Sequence, residues 1–514
     1  MRRRFRTPLV AAFFASVLTL TACSSGSSSN ESSGSGSADQ ILRFGISGEP
    51  PVLRAGVEQG NLGITLNSLL HRGLVTYNKD AEITPALADE FEQVTPSEYR
   101  FTLPEGLTFQ DGTPLTVDSV RSSWEYFADP ENGSVQAATY DNISSVEEGD
   151  GGEFTVTLEE NNSAFLQTLA DVSTPILPDS AFAPDAESNV GAGPFSFVSE
   201  KSGIGMALEK FDDYVNADGV ALEGIELAYY GDGTARVNAL LGGDVDLIDY
   251  VPWESFDQIE QAGFTVDGEV GPGLDVQFNF EVEPLNDSKV RQAIAYAIDR
   301  EKIVDNVFSG HAEPIFGQIV EPGSEFDTSL ATEMYEYDPE RAKELLADAG
   351  YPDGFDIGVL GTSQYSFVQD TAISVQQDLE AVGIRTELEL PDWATMMDNM
   401  LTGNYDIGIG TISSAISEPS YLLRYAAPPA YVHPWGYDNS ELVELLESGR
   451  ASDSDDERLE NYESAFEILR EDTPFAVLMQ RSQAYAYSEA VSGFKTLPGL
   501  VVFFSSLSVA DTSL

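Results

Sequence analysis

A chain of 514 residues exceeds what one hydrophobic core ordinarily supports, so two lobes are expected. Its 86 acidic side chains stand against 26 basic ones, a formal net charge of -60 that repels phosphate and excludes a nucleic-acid partner; the acidity reads as a solvated, soluble surface. Cys23 is the single cysteine, so no intramolecular disulfide can form.

Residues 1–23, MRRRFRTPLVAAFFASVLTLTAC, join a basic start to an apolar run from Pro8 to Ala22. That run is shorter than the roughly 20 residues needed to cross hydrocarbon, so it reads as a secretory leader. Its end, Leu20-Thr21-Ala22-Cys23, resembles a lipobox, which implies that Cys23 carries a lipid. The Ser/Gly tract 24–39 has nothing to bury and is a flexible tether, spanning roughly 20–24 Å root-mean-square. A tethered protein with no membrane-spanning helix of its own must hand any ligand to something else.

The folded part begins with a short strand, Ile41 to Ile46, and a loop at Ser47-Gly48-Glu49-Pro50-Pro51. Tyr99 to Leu103 alternates at period two, and Gly106 to Thr116 reads as a hairpin turning at Asp111-Gly112. A helix is expected over Val120 to Phe127 with Asp118 as its cap, then strand patterns around EFTVTLEE and a helix from Ala164 to Leu169. Further strands at Leu208 to Tyr214, Leu222 to Tyr229 and Val245 to Ile248, with a helix at Thr234 to Leu241, make an α/β lobe. A strand near Asp275 to Phe280 is expected to cross into the second lobe. There Asp287 and Asp299 cap two helices with apolar stripes at Val290, Ile294, Ile298 and at Ile303, Val307, and Gly310 supplies a left-handed stop. Asp338-Pro339 starts another helix, Asp356 to Leu360 is a strand, Phe367 to Val382 a helix, Trp393 opens a helix, and Tyr405 to Ile409 is a buried strand. The acidic run Asp453, Asp455, Asp456, Glu457 lacks calcium-loop spacing and reads as the start of a helix near Arg458.

Local grammar gives no reason for the wording of KVRQAIAYAIDREKIV, residues 289–304. That phrase closely resembles the signature of the extracellular solute-binding proteins of family 5, the dipeptide, oligopeptide and nickel receptors of ATP-binding-cassette importers. Gly73-Leu74-Val75 with Pro85-Ala86-Leu87-Ala88, LTFQDGTPLT with Gln110 where histidine is commoner, Gly191-Ala192-Gly193-Pro194-Phe195, the DPE…AKELLADAG phrase and Gly436-Tyr437-Asp438-Asn439 extend the resemblance over most of Ile41 to Lys495. It implies an α/β, two-lobed periplasmic-binding-protein-like fold with a hinge and an extra α/β subdomain in the first lobe. The expected boundaries are a leader at 1–23, a linker at 24–39, a first lobe at 40–278, a second lobe at 279–484 and a return to the first lobe at 485–514.

The resemblance implies a monomeric, lipid-anchored receptor on the outer face of the cell membrane. It captures a small solute, a peptide first, and passes it to membrane permease subunits without cofactor or metal. In peptide-binding members an aspartate after the strand at Tyr405 to Ile409 pairs with the ligand's ammonium. Counting from Trp393, which matches a pocket tryptophan, that aspartate falls on Ala415 and a neighbouring tryptophan on Ile412. The cargo is then a peptide held otherwise, with Glu418 or Glu49 taking the amine, or a non-peptide solute. An oligosaccharide stacked on Trp393 or Trp435 near the hydroxyls of Ser413 and Ser414, or a nickel chelate, fits the same site. A secreted hydrolase is the distant alternative: the chain has no GxSxG, HExxH or phosphate-loop motif, and its three histidines, His71, His311 and His433, are scattered.

Overall fold

The structure is a computed structural model that describes residues 40–514 apart from 58–59, 79–81, 135–136, 184–185, 187, 413–418, 428–431, 453 and 497–511. Cys23 and the linker 24–39 therefore lie outside the described residues, as do Ser413, Ser414, Ala415 and Glu418.

The first strand, β1 (Ile41–Ile46), is followed by a small pair, β2 (Val75–Tyr77) and β3 (Ile83–Pro85), and by an antiparallel four-stranded sheet of β4 (Glu90–Thr95), β5 (Glu98–Thr102), β6 (Ile143–Glu148) and β7 (Glu153–Leu158). Those two sheets and their helices form the insertion, which has its own core around Phe101, Trp124, Phe127, Phe154 and Phe165. The chain then returns to the sheet of β1 with β8 (Phe195–Lys201), β9 (Gly205–Lys210), β10 (Gly224–Tyr229) and β11 (Leu247–Ile248). The 14-residue strand β12 (Thr265–Phe278) leads out of the first lobe. Beyond it lie β13 (Ala312–Pro314), β14 (Asp356–Leu360), β15 (Arg385–Glu389), β16 (Ile407–Ile412) and the 13-residue β17 (Phe475–Tyr487).

All strands outside the insertion join one sheet in the order β15-β14-β16-β12-β17-β11-β1-β10-β9-β8, with β13 added to β17. β12 and β17 are long because each belongs to both lobes. β17 pairs with β12 from Thr265↔Tyr487 to Gln277↔Phe475, and the register breaks between Val270 and Gly273. The break contains Gly271-Pro272, a dipeptide that cannot sustain a ladder on both sides, opposite Arg481. Two lobes thus share two crossing strands that are irregular at the point of crossing. The described end of the chain packs back on the first lobe: Gln40 Nε2 donates to the Leu514 carbonyl (3.0 Å) and the Thr496 N–H to Asp267 (2.7 Å).

The helix punctuation follows the sequence. Asp287 accepts from the Lys289 N–H (2.9 Å), Asp299 from Lys302 (3.0 Å) and Asp338 from Arg341 (2.8 Å), while Gly310 has φ +80°. Val290, Ile294, Ile298 and Ile303 meet Val276, Val359 and Ile407 in the second-lobe core; each buried aliphatic side chain contributes about 1.5–3 kcal/mol.

The hairpin expected over Gly106 to Thr116 forms over a short span: Thr108 bridges Pro114, the Phe109 N–H donates to the Thr113 carbonyl (2.9 Å), the Leu115 N–H to that of Leu107 (2.9 Å), and Gly112 turns with φ +82°. Gln110 docks this hairpin on its neighbours. Its Nε2 donates to the carbonyls of Leu70 (2.9 Å) and Phe195 (2.7 Å), and its Oε1 accepts from Gly191 N–H (2.9 Å). Two local expectations are corrected. The helix expected from Val120 starts at Val117 with Thr116 as N-cap, which leaves Asp118 in the first turn to pair with Arg121. The crossing strand ends at Phe278 and begins ten residues earlier than its apolar part suggests, since the polar stretch from Thr265 is paired to β17.

Candidate functional site

In open α/β sheets ligands sit beyond the carboxyl ends of the parallel strands. Here β14 runs parallel to β15 and β16, so Leu360, Glu389 and Ile412 end on one edge of the second lobe. β12 enters that lobe at the same edge, where Gly273 lies opposite both Ile412 and Gln480. In the first lobe β1 is parallel to β10 and β11, which end at Tyr229 and Ile248. The chain after β11 continues along β17, the Val251 N–H donating to the Ala484 carbonyl (3.1 Å), and so runs toward the second lobe. The two carboxyl edges therefore face each other across the crossing strands.

The first-lobe edge is held by Arg236, on the helix Gly233–Gly242 that Asp232 caps. It donates to the carbonyls of Tyr230 (2.7 Å), Asp249 (3.0 Å) and Tyr250 (2.7 Å), and its Nε lies 3.3 Å from the Asp249 carboxylate. Asp249, 1% exposed, also accepts from Ser47 Oγ (3.1 Å) on the loop after β1. Burial pushes its carboxyl up to about 6, with Arg236 opposing the rise. Tyr250 has φ +42°, a conformation that costs a non-glycine residue about 1–3 kcal/mol and concentrates at functional sites.

The second-lobe edge is laced together by its own loops. Thr362 Oγ donates to the Pro391 carbonyl (2.8 Å), and the Trp393 N–H to Gln364 Oε1 (3.1 Å). Asp392 caps the helix Trp393–Thr402, which fixes Trp393 at the edge, half-buried, its ring edge-on to Tyr365 at 5.3 Å. Tyr365 neighbours Phe367 (5.9 Å), and Phe367 reaches across to Trp253 of the first lobe (6.0 Å). Between the lobes, the guanidinium of Arg481 lies 4.9 Å from the Phe367 ring centre and 5.9 Å from that of Tyr250. Farther along the crossing strands, where Asp275 pairs with Val477, Asp275 is fully buried with Gln277 beside it, and burial pushes its carboxyl up to about 7. Gly410 is required opposite it: a Cβ there would lie 2.0 Å from Asp275 Oδ1.

Of the residues singled out from sequence, Trp393 and Ile412 come to this edge, though the Ile412 side chain is buried in the core. Ser413, Ser414, Ala415 and Glu418 lie outside the described residues. Trp435 is elsewhere. It packs on Gly403, at the other end of the helix that Trp393 opens, and its Nε1 donates to Glu281 (3.1 Å); along the helix axis Gly403 lies about 15 Å from Trp393, and both tryptophan rings pack against the cluster of Met396 and Met400. Glu49 stands on the loop after β1, but its carboxylate already accepts from Ser202 Oγ (3.0 Å) and the Gly203 N–H (2.7 Å). Arg236, Asp249, Tyr250, Asp275, Arg481 and Gln483 were not anticipated. The one visible signal is the polar run Gln480-Arg481-Ser482-Gln483 that interrupts the apolar ends of β17.

The insertion touches the second lobe away from both edges. Asn161 Nδ2 donates to the Ala451 carbonyl (3.2 Å) and the Ser163 N–H to that of Arg450 (3.3 Å), beside a polar cavity of about 310 Å³. Among the described residues no helix is long and apolar enough to cross a membrane, and no cluster of three or more His, Cys, Asp or Glu could hold a metal.

Comparison with known proteins adds to this geometry. Residues 82–431 match the family described as bacterial extracellular solute-binding proteins, family 5 middle. The oligopeptide-binding protein AppA of Bacillus subtilis (strain 168) is 24% identical over 97% of this chain and 97% of its own. The glutathione-binding protein GsiB of Escherichia coli (strain K12) is 25% identical over 83% and 86%. Among solved structures, the periplasmic binding protein AgaA of A. tumefaciens R10 in complex with agropinic acid superposes with a TM-score of 0.82 at 36% identity, covering 92% of this chain and 98% of that one.

Proposed function

The chain belongs to the bacterial extracellular solute-binding proteins of family 5, and from that membership we propose that it is the receptor of an ATP-binding-cassette importer. It captures a small extracellular solute between its lobes and delivers it unchanged to membrane permease subunits. The observation that carries this reading is the confrontation of the two carboxyl edges around a pair of strands whose pairing breaks at the crossing. Two bodies joined there can rotate about Gly271-Pro272 and Arg481, and closure buries a solute, removes water and strengthens each polar contact. A permease can then distinguish the closed shape from the open one.

The cargo we propose first is a peptide, in keeping with the printed names of AppA and GsiB. A second reading, a non-peptide acid of the kind bound by AgaA, is favoured by that structure's higher identity of 36%. In the same reading Cys23 carries a lipid that anchors a monomer to the outer face of the membrane through the linker 24–39, and the lobes divide where β12 and β17 cross, around Gly271-Pro272 and Arg481, a few residues before the 278/279 and 484/485 boundaries expected from sequence. The protein acts by binding and not by catalysis. Mass spectrometry of solutes released from purified protein tests this: a defined solute should be recovered chemically intact at up to one per chain. Progressive conversion of that solute by the protein would refute the receptor reading.

A further inference from the structure

Five described arginines are buried in this molecule: Arg72, Arg236, Arg291, Arg300 and Arg481. A buried guanidinium is tolerated when its donors are satisfied. Arg236 donates to three main-chain carbonyls and meets Asp249. Arg291 donates to the carbonyls of Leu285 (2.6 Å), Asp472 (2.9 Å) and Thr473 (3.1 Å). Arg300 donates from Nε and Nη1 to those of Val477 (2.9 Å), Ala295 (3.1 Å) and Tyr335 (3.2 Å), and only its Nη2 is left over, deep in the core. These three are staples of the fold. Arg72 donates to the Tyr214 hydroxyl (3.1 Å) where the first lobe meets the insertion, away from the carboxyl edges.

Arg481 is different. It is 5% exposed, stands at the crossing between the two edges, and donates from Nη1 to Gln483 Oε1 (2.9 Å). Among the described residues no carboxylate pairs with it and no main-chain carbonyl accepts from it, while the flat faces of Phe367 and Tyr250 flank it. The bond to Arg481 fixes the Gln483 amide with its oxygen toward the guanidinium. That leaves Nε2, on a side chain 3% exposed, without an acceptor at full hydrogen-bond distance; the Tyr250 hydroxyl is the polar group that both Gln483 and Arg481 approach. The nearby Asp249 carboxylate is already taken by Arg236 and Ser47. A planar fork of N–H donors beside an amide donor, between two aromatic walls, matches a carboxylate in charge, shape and hydrogen-bond count.

We propose that Arg481 and Gln483 anchor a carboxylate of the captured solute, so that the cargo is an acid held at the crossing of the two lobes. This rests on the receptor reading. The carboxylate can be the C-terminus of a peptide or the acid group of a non-peptide solute, and the test separates the two. Three probes are offered to the purified full chain: a casein hydrolysate, agropinic acid and a neutral maltodextrin mixture, the first two both as free acids and after methyl esterification. Material retained after desalting is measured by mass spectrometry. Wild type should retain the peptides or agropinic acid as free acid and about ten- to hundredfold less of the matching ester. Arg481→Met should lose the acid by a similar factor and cease to distinguish acid from ester, with Arg481→Lys in between. Equal retention of acid and ester by wild type overturns the proposal, and that comparison stands even if the Arg481→Met chain does not fold. Retention of maltodextrin alone, or of none of the three, overturns the acid; the receptor reading falls with it only if, in addition, the purified protein releases no solute of its own.

Discussion

Replacing Arg236 by methionine should both destabilise the first lobe and make its stability depend on pH in a defined direction. The substitution keeps the bulk of the stem but removes the donors to Tyr230, Asp249 and Tyr250 and leaves the Asp249 carboxylate, 1% exposed, without its cation. Breaking a buried pair on one side costs about 3–5 kcal/mol, a large part of a domain's net stability. The folded chain already holds the Asp249 proton up to about pH 6, against an ordinary value of 3.8. A carboxyl whose folded value is raised binds its proton more tightly when folded, so stability is lost as pH rises from the ordinary value through the folded one. The full cost, about 3 kcal/mol, is present above it. Without Arg236 the folded value climbs further and the penalty at pH 7 grows. Urea unfolding at pH 7 and pH 5 should therefore show Arg236→Met losing about 3–5 kcal/mol at the higher pH and at least about 1 kcal/mol less at the lower. Adding Asp249→Asn should recover part of the loss at pH 7. A deficit identical at both pH values and untouched by Asp249→Asn would refute the reasoning.

Cys23→Ala should move the protein from the membrane pellet to the soluble fraction; a variant that still sediments with membranes contradicts the anchor. Trp393→Ala should weaken the bound solute by about 1 kcal/mol or somewhat more in calorimetry, because its half-buried ring lies on the second-lobe edge; an unchanged affinity would reduce Trp393 to a packing residue. If the bound solute is a peptide, acetylating its amine should change affinity little in the wild type, since counting along the sequence from Trp393 puts Ala415 where the resemblance expects the amine-binding aspartate; a large loss would mean that another acid holds the amine. Arg300→Met should cost about 3–5 kcal/mol in urea unfolding, since it orphans the carbonyls of Val477, Ala295 and Tyr335 inside the core; a loss below about 1 kcal/mol would show that those carbonyls find other donors.

What the sequence disclosed was local. Asp287, Asp299, Asp338 and Gly310 act within a few residues of themselves, so their capping roles were legible from spacing. The arginines of the Val-Arg-Gln-Ala and Ala-Ile-Asp-Arg runs were visible as a signature without a reason. The reason is non-local: Arg291 and Arg300 bind carbonyls of a segment some 180 residues away, Thr473 and Val477, and so tie the helix pair to β17. Gln110 was noticed as an unusual residue, yet its work, joining the carbonyls of Leu70 and Phe195, depends on strands that no periodicity places together. Trp435 looked like a free aromatic surface because sequence cannot show that Gly403 opens a seat for its ring. Arg481 was overlooked for the opposite cause: one cation in the short polar run of a strand carries no spacing, and its meaning comes from which side chains surround it.

The account turns on two lobes closing over a solute at the break in β12 and β17. X-ray scattering of the purified protein, stripped of solute and then saturated with the solute recovered from it, measures that directly. The account predicts a smaller radius of gyration and a shorter maximum dimension when saturated, whereas superimposable curves at full occupancy would contradict it.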